Sequence, residues 1–492
     1  MRRRITGILI GVGVLGMATP AIAGEGDLDT SWGTNGFATI PFAGSDAGRW
    51  VGNAGNGRIL VVGGATPTGA TDNQVVIARF DDSGALDPTC DGDGVAVLSL
   101  PGFSAFGMSA VVLSDNSFVV TGTATDSSSV DYIVAARFDS SCRLVTGFGS
   151  QGVMLHTDRL GTGGLVVDVD SVGRLVIGGY IWMAPSDGGA QRHYMIRLTS
   201  TGALDTTFGN AGSYTGSSGD DGTVNDLAIV SGDRVVFTGV RYAPTAQAIT
   251  GRLTSAGALD STFATSGRRL DQNGVNGSSA QSIARRHDGR LVIVGVDTDA
   301  SFDDHGSLLC LTADGAIDSA CGASGHLSFS PSTDSVSIGG ADVDPSGRIV
   351  VSGTSFAGAG FRIFVARLLA SGSPDTAFGQ SGYFTSPNFN GRLFGDVIDA
   401  MGRPLATGFD YDQASDTRTQ VLRLQASTTT TSTTSTTAPT TTTEATPSTV
   451  SASALPATGT HESTLSLVAF LVTLIGSAIM VVRRKARISP ET

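Results

Sequence analysis

The sequence predicts an all-β fold, and three observations lead to that class. Of its 44 acidic residues only four are glutamate, and residues 26–425 contain neither glutamate nor lysine. Both are among the better helix formers, so a bundle of helices or a coiled coil is excluded. The chain has 67 glycines and is rich in aspartate, residue types that form turns. The third observation is a short pattern that recurs seven times between the two ends of the chain.

The recurring pattern is a glycine-rich connector, as in GALDTTFGNAG from Gly202. Its fourth position recurs every 55 to 60 residues: Asp29, Asp87, Val145, Asp205, Asp260, Asp318 and Asp375. Most copies also carry an aromatic residue: Trp32, Phe148, Phe208, Phe263 and Phe378. We expect the aspartates to be structural, because a short carboxylate accepts backbone hydrogen bonds in Asx-turns. We expect the aromatic residues to fill the space between neighbouring units.

Each unit is predicted to contain four short strands. In the fifth unit these are Arg268–Asp271, Gln281–Arg286, Arg290–Val296 and Ser307–Thr312. Seven four-stranded units predict a seven-bladed β-propeller over residues 24–425. An open β-solenoid is the alternative, since a repeat period does not by itself prove closure. Docking of the first connector, Gly26–Gly36, against the last strands near Leu424 would close the ring.

The connectors resemble those of the delta-60 repeat family, whose units carry the pattern G-x-L-D-x-x-F-G-x-x-G. The resemblance extends from Gly26 to about Gln425 and implies a propeller, but the family has no settled activity to transfer. Departures from the pattern occur at Cys90, Asp91, Val145, Ala264 and Pro374.

The N-terminus is typical of a secretory signal peptide, residues 1–23. Three arginines precede an apolar run, and Ala21-Ile22-Ala23 is a small-x-small cleavage sequence. We expect cleavage between Ala23 and Gly24. The alternative is an uncleaved membrane anchor, for which the apolar run is short.

The C-terminus resembles the cell-wall sorting signal of Gram-positive surface proteins. A five-residue motif is followed by a hydrophobic segment, 465–482, and a basic cytoplasmic tail, 483–492. The motif consists of Leu455, Pro456, Ala457, Thr458 and Gly459. The resemblance implies that a sortase cleaves after Thr458 and transfers the threonine to an amine of the cell-wall precursor. The alternative is a plain C-terminal transmembrane helix, since 18 apolar residues are just long enough to span.

Residues 426–454 are almost entirely Thr, Ser, Ala and Pro, which predicts a disordered stalk of the O-glycosylated kind. Residues 24–458 carry 24 basic and 42 acidic residues, a net charge of −18. Nucleic acid is therefore excluded as a partner, because phosphate binding needs a positive surface. Membrane contact is expected only through the C-terminal segment, before sorting. The expected location is the outer face of the cell wall.

The four cysteines of an exported chain are expected to pair. Cys310 replaces an arginine that recurs in the fourth strand of a unit, and Cys321 replaces the connector aromatic residue. If those two positions touch in the other units, Cys310 and Cys321 form one disulfide. Cys90 and Cys142 would then form the second.

The sequence shows no catalytic motif. Its six histidines are scattered, and no serine nucleophile motif is present. Asp87, Asp91 and Asp93 only faintly resemble a calcium loop, because the closing bidentate carboxylate is absent. We therefore expect no metal, no cofactor and no enzymatic activity.

Loops that vary between units are the expected binding surface. They lie opposite the connectors, and the third unit's loop is the most ligand-like because it contains Tyr180, Trp182 and Tyr194. The predicted function is a wall-anchored propeller that binds or displays without catalysis, its extracellular ligand a glycan or a protein. The alternative is a secreted glycan-active hydrolase or lyase with an aspartate-based site on the variable-loop face.

Overall fold

The computed structural model describes residues 24–42, 44–242, 244–322, 324–357, 360–386, 390–411 and 416–426. These residues form 28 strands arranged as seven four-stranded antiparallel sheets. The inner strand of each sheet packs against that of the next, and the first sheet packs against the last. The fold is therefore a closed seven-bladed β-propeller, as the repeats predict. The predicted signal peptide, the predicted sorting motif, residues 465–482 and 483–492, and the predicted stalk beyond Ala426 lie outside the described residues.

The strands follow one another in a regular order. One strand, β1 (Phe37–Thr39), precedes the first complete blade. Blades 1 to 4 consist of β2 (Gly44–Asn53), β3 (Ile59–Pro67), β4 (Gln74–Phe80) and β5 (Val95–Leu98); β6 (Phe103–Val112), β7 (Phe118–Asp126), β8 (Asp131–Phe138) and β9 (Val153–His156); β10 (Thr162–Val169), β11 (Leu175–Trp182), β12 (Gln191–Leu198) and β13 (Ser213–Thr215); and β14 (Gly222–Val230), β15 (Arg234–Arg241), β16 (Gln247–Leu253) and β17 (Arg268–Asp271). Blades 5 to 7 consist of β18 (Gly277–Arg285), β19 (Leu291–Thr298), β20 (Asp304–Leu311) and β21 (His326–Phe329); β22 (Val336–Val343), β23 (Ile349–Ala357), β24 (Gly360–Leu368) and β25 (Tyr383–Thr385); and β26 (Gly391–Ile398), β27 (Pro404–Tyr411) and β28 (Thr417–Arg423), with β1 as the outer strand. A short 3-10 helix, Pro185–Asp187, lies between β11 and β12.

The antiparallel order divides the loops between two faces. The turn between the first and second strands of a blade lies on the same face as the connector that follows the third strand. We call this the connector face. The loops between the second and third strands, and those leading to the next blade, lie on the opposite, variable-loop face. This division agrees with the sequence-based expectation.

The sequence unit and the structural blade are offset by one strand. The strand after a connector pairs with the strand before it, as β17 pairs with β16. It is therefore the outer strand of the preceding blade. Each connector consequently ends one blade before the chain enters the next.

The first connector closes the ring. β1 pairs antiparallel with β28, with Phe37 opposite Leu422, and Leu28 bridges Leu424. Asp29 N donates to Arg423 O at 2.9 Å. The N-terminal segment thus completes the seventh blade, and the open-solenoid alternative is excluded.

The aromatic residues of the connectors fill the inter-blade space. Trp32, Phe148, Phe208, Phe263 and Phe378 are all fully buried. The next connector begins with a glycine that lies directly on the ring. At Gly202, whose φ is +81°, a Cβ atom would lie 3.0 Å from the Phe148 ring and 2.8 Å from Gly149 N. Only glycine accepts both the close approach and this backbone conformation.

A β-bulge interrupts every inner strand at the same point. The extra residues are Arg49, Met108, Leu165, Asn225, Gln281, Gly339 and Phe394. Neighbouring members touch across blades: Met108 packs with Leu165, and Asn225 Nδ2 donates to Gln281 Oε1 at 3.3 Å. The bulge residues therefore form a ring around the propeller axis, because a bulge re-aims the side chain that it adds.

Candidate functional site

The repeated aspartates lie in structural ion pairs on the connector face. Asp260 Oδ2 accepts from Arg252 Nε at 2.7 Å, and its Oδ1 accepts from Thr262 N at 3.1 Å in an Asx-turn. The hydrogen bond from the Thr262 hydroxyl, together with Arg252, holds the pKa of Asp260 below its ordinary value. The Arg252 guanidinium lies 4.9 Å over the Phe263 ring. Aspartate, arginine and aromatic residue thus form one buried unit.

This unit recurs around the ring. Four further buried arginines contact the connector aspartate of their blade through Nε at 2.8–2.9 Å: Arg79, Arg197, Arg367 and Arg423. Where the third connector has Val145, Arg137 pairs instead with Asp115 at 3.1 Å. The repeated aspartates are therefore committed to holding blades together, as expected, and are not free for substrate chemistry.

Three more aspartates link the inner strands of adjacent blades. Asp168 accepts from Ile229 N at 2.8 Å, and Asp342 accepts from Ile398 N at 3.0 Å. In the same way, Asp226 of blade 4 accepts from Ile283 N of blade 5 at 2.8 Å. Burial raises the pKa of Asp168 and of Asp342 to about 6. These carboxylates lie against backbone amides, so they too are part of the scaffold.

Both disulfides replace a contact that other blades make without cysteine. Cys310 and Cys321 are bonded at the positions where Arg252 lies over Phe263 one blade earlier. Cys90 and Cys142 are bonded where other connectors place an aromatic ring against a glycine. Cys142 keeps the positive φ of that glycine, 62°. The pairs are those that the substitution pattern predicts.

Removing the disulfides should lower the free energy of unfolding unequally. The bonded cysteines are 52 residues apart in one case and 11 in the other, so loop-closure entropy predicts losses of ~4 kcal/mol for Cys90→Ala with Cys142→Ala and ~3 kcal/mol for Cys310→Ala with Cys321→Ala. Chemical denaturation measures both. As a control, Cys90→Phe with Cys142→Gly restores the contact of the other connectors and should recover part of the loss. Unchanged stability of both alanine variants would contradict the prediction.

The aromatic residues of the third blade's loop are mostly buried. Tyr180 is 3% exposed, and its hydroxyl hydrogen-bonds to Asp131 at 3.0 Å. Tyr194 is also buried and contacts His156. Trp182 alone of the three is exposed, at 40%. This loop therefore presents a single aromatic side chain.

A larger aromatic group lies on the same face, at blades 6, 7, 1 and 2. We call it the arginine–aromatic cluster; its members are Arg49, Phe106, Phe356, Phe361, Arg392, Phe394, Phe409 and Tyr411. Strands β26 and β27 position four of them, and the ends of β23 and β24 bring in Phe356 and Phe361. Phe106, Phe356 and Phe361 are partly exposed, and Tyr411 is 38% exposed. Tyr411 lies 5.1 Å from Phe409 and 6.5 Å from Phe361.

The two arginines are held by rings. Arg49 is the bulge residue of β2, is 4% exposed, and lies 3.8 Å over Phe394 and 5.0 Å from Phe106. Burial and the neighbouring Arg392 lower the pKa of Arg49 to about 9. Arg392 lies 4.8 Å over Phe361, and burial lowers its pKa to about 10. The positive charges of Arg49 and Arg392 are therefore surrounded by aromatic rings.

Sequence reasoning missed this cluster because its members are far apart in the chain. Arg49 and Phe394 meet only because the ring closes between blades 1 and 7. A usable signal did exist, since Arg49 stands at a position where the other repeats carry Met, Leu, Asn, Gln, Gly or Phe. An arginine at a repeat position that is otherwise uncharged indicates a role specific to that blade.

The connector face carries a cavity of about 750 Å³ at the propeller axis. Three of its arginines form ion pairs with aspartates: Arg58 with Asp87, Arg234 with Asp260, and Arg403 with Asp399. Its charged lining therefore largely belongs to the inter-blade scaffold. Within the described ranges, no group of three or more metal-ligating side chains occurs. No helix in that same part of the chain has the length and apolar character needed to cross a membrane.

The fold defines the chain as a seven-bladed β-propeller built from repeats. Four segments, residues 54–89, 173–208, 287–320 and 345–378, match the model of a family described as a domain of unknown function (DUF5122) beta-propeller. The segments cover the same strands and connectors that resemble delta-60 repeats. No curated protein matches.

Several solved structures are similar to the chain. A polysaccharide lyase, Uly1, is 10% identical with a TM-score of 0.42, covering 80% of this chain and 92% of that one. A PL25 ulvan lyase is 10% identical with a TM-score of 0.37, covering 66% and 83%. A putative oxidoreductase (glucose dehydrogenase) from Thermus thermophilus is 14% identical with a TM-score of 0.36, covering 65% and 96%.

The expectation that the chain is not an enzyme does not stand. Two of the solved structures named above are polysaccharide lyases, and the third is a putative glucose dehydrogenase. Propellers assemble sites from side chains on different blades, so the lack of a short catalytic motif in the sequence does not exclude activity. At 10–14% identity the similarity carries no substrate or residue role to this chain.

Proposed function

We propose that the chain is an extracellular propeller that acts on glycans held at its variable-loop face. The observation that carries the proposal is the arginine–aromatic cluster. Four of its rings are partly or largely exposed around one end of the propeller axis. Aromatic rings provide apolar faces that stack on sugars, and nearby polar groups fix the orientation of a ligand.

The variable-loop face is the better of the two faces for a substrate. On the connector face, the repeated aspartates and arginines are bonded to one another and to neighbouring blades. Changing them for binding would cost stability. The opposite face carries loops of different length and sequence on a rigid scaffold, which is where binding residues usually lie.

Three aspartates at this face supply candidate acid–base groups. Burial raises the pKa of Asp46, Asp304 and Asp410 above the ordinary value. A raised pKa favours the protonated form, which a general acid needs. Asp46 lies on β2 three residues before Arg49 and is 2% exposed, and its Oδ2 accepts no hydrogen bond among the described residues but lies 3.9 Å from Arg418 Nη1. We therefore place the candidate proton donor at Asp46.

The proposed attachment to the cell wall through Thr458 is compatible with a substrate site on the variable-loop face. β28 runs toward the connector face and ends at Arg423, and the stalk begins directly after it. If the predicted stalk, residues 426–454, is extended at ~3.1 Å per residue, its 29 residues would reach ~90 Å. If Thr458 is joined to the cell wall, the arginine–aromatic cluster points away from the anchor, toward extracellular material.

The test is a glycan screen on residues 24–458, with binding, reducing ends and the ultraviolet absorbance of unsaturated products as readouts. We expect one glycan class to be bound and cleaved. Phe361→Ala should weaken binding about tenfold or more, since ~1.4 kcal/mol corresponds to a factor of ten. Asp46→Asn should abolish cleavage while binding persists.

Trp182→Ala is the matched control, because it removes an exposed aromatic ring from the same face of a different blade. We expect it to leave binding and cleavage unchanged. Failure of all glycan classes to bind would overturn the proposal. Binding without cleavage by the unchanged protein would overturn its catalytic part.

A further inference from the structure

Arg49 differs from every other buried arginine among the described residues. Six arginines there are buried, and five of them contact a connector aspartate: Arg79, Arg197, Arg252, Arg367 and Arg423. Arg49 forms no such pair, and its Nε and Nη1 have no hydrogen-bond partner in the described part of the chain. Leaving two donors of a buried guanidinium unpaired is strongly unfavourable. A buried arginine whose side-chain donors are left unpaired by the protein indicates a ligand that accepts from them.

We propose that Arg49 and Arg392 form an anion-binding subsite for a sugar unit that carries a carboxylate or a sulfate ester. The proposal rests on the proposed function for the sugar, and on Arg49 alone for the anion. Both arginines are stacked on phenylalanine rings, so their guanidinium planes are held in place before a ligand binds. Fixed guanidinium groups suit bidentate contacts to oxyanions.

The surroundings favour an anion that arrives with an apolar body. Phe394 lies against one face of the Arg49 guanidinium with Phe106 5.0 Å away, and Phe361 lies against a face of the Arg392 guanidinium. Water is therefore kept from those faces, which strengthens charge–charge attraction. The two arginines also repel one another, and one anion between them would relieve that repulsion.

The test compares oligosaccharides of glucuronate, of a sulfated neutral sugar, and of the unmodified neutral sugar. We expect the unchanged protein to bind at least one of the two anionic forms about tenfold or more tighter than the neutral form, as for a gain of ~1.4 kcal/mol. Arg49→Met should abolish most of that preference. It should not lower the melting temperature, because methionine can pack between the two rings and removes an uncompensated charge. Which anionic form is preferred distinguishes a uronate from a sulfate ester.

Arg362→Met is the matched control, since Arg362 is exposed on β24 next to Phe361. It removes one positive charge from the same region and should leave the preference unchanged. An equal loss in both variants would assign the preference to general charge attraction and overturn the subsite. Unchanged preference in Arg49→Met would also overturn it.

Inorganic sulfate separates the two proposals. We expect sulfate to raise the melting temperature of the unchanged protein, and to raise that of Arg49→Met by less than half as much. If this holds while no oligosaccharide binds, the subsite stands and the glycan function fails. If neutral glycans bind and are cleaved while sulfate and Arg49→Met have no effect, the function stands and the subsite fails.

Discussion

Deletion of Gly24–Gly36 is expected to destabilise the propeller by ~6 kcal/mol or more, from two losses. The deletion removes Trp32, which is fully buried, and loss of such a ring costs ~3–5 kcal/mol. It also removes Asp29, whose carboxylate contacts Arg423 at 2.7 Å, and an unpaired buried charge costs ~3–5 kcal/mol. Domains of ordinary stability have only ~5–15 kcal/mol to lose. We therefore expect the deletion variant to be largely unfolded at physiological temperature.

The matched control is removal of residues 427–454, which contain no apolar face and should leave the melting temperature unchanged. The single substitution Trp32→Ala should fall between the two, because it keeps the Leu28–Leu424 bridge. Thermal melting followed by circular dichroism ranks the three variants. A deletion variant that melts with the unchanged protein would contradict closure by the first connector.

The fold can be predicted in unusual detail because every repeat contains the same turn residues and the same strand pattern. One connector, Gly26–Gly36, precedes the first strands, and no connector follows the last strands near Leu424. The first connector can therefore complete the last unit, which predicts ring closure. The blade boundary cannot be predicted in this way. The sequence pattern places the strand after Gly267, β17, at the start of a unit. In the structure β17 pairs with β16, the strand before the connector. Strand pairing depends on the turn that the connector makes, and no single residue in the repeat reports it.

The candidate site is predicted far less well than the fold. The sequence predicts which loops share the variable-loop face, but it does not show which aromatic residues are exposed there. Tyr180 and Tyr194 are buried in the third blade, whereas Arg49 and Phe394 meet across the closure. Side-chain direction at those two positions is set by β-bulges. A bulge shifts the inward and outward alternation by one residue, so a simple period-two reading of the strand assigns these side chains wrongly.

Replacement of the aspartate-bound arginine in one blade should destabilise the propeller more than the loss of a connector aromatic residue. Arg252→Ala removes the 2.7 Å contact to Asp260 and hydrogen bonds to Ala313 O at 2.6 Å and Thr262 Oγ1 at 3.0 Å. Its stacking on Phe263 is lost as well. We expect a loss of ~5 kcal/mol in the free energy of unfolding, the upper part of the range for breaking a buried ion pair.

The fifth blade suggests how that loss can be reversed. There Cys310 and Cys321 stand in place of the arginine and the aromatic residue, and Asp318 is left facing Arg290 at 3.5 Å. In the fourth blade Asp260 already faces Arg234 at 3.7 Å. The double substitution Arg252→Cys with Phe263→Cys should therefore form a disulfide and keep Asp260 paired.

We expect this double variant to recover at least half of the stability lost in Arg252→Ala, and to lose that recovery under reducing conditions. Chemical denaturation with and without reductant measures both effects, and Phe263→Cys alone is the control for loss of the ring. Recovery requires that the arginine and aromatic positions touch in the fourth blade as their cysteine counterparts do in the fifth. If the double variant is as unstable as Arg252→Ala in oxidising buffer, the disulfide of the fifth blade depends on features of that blade alone.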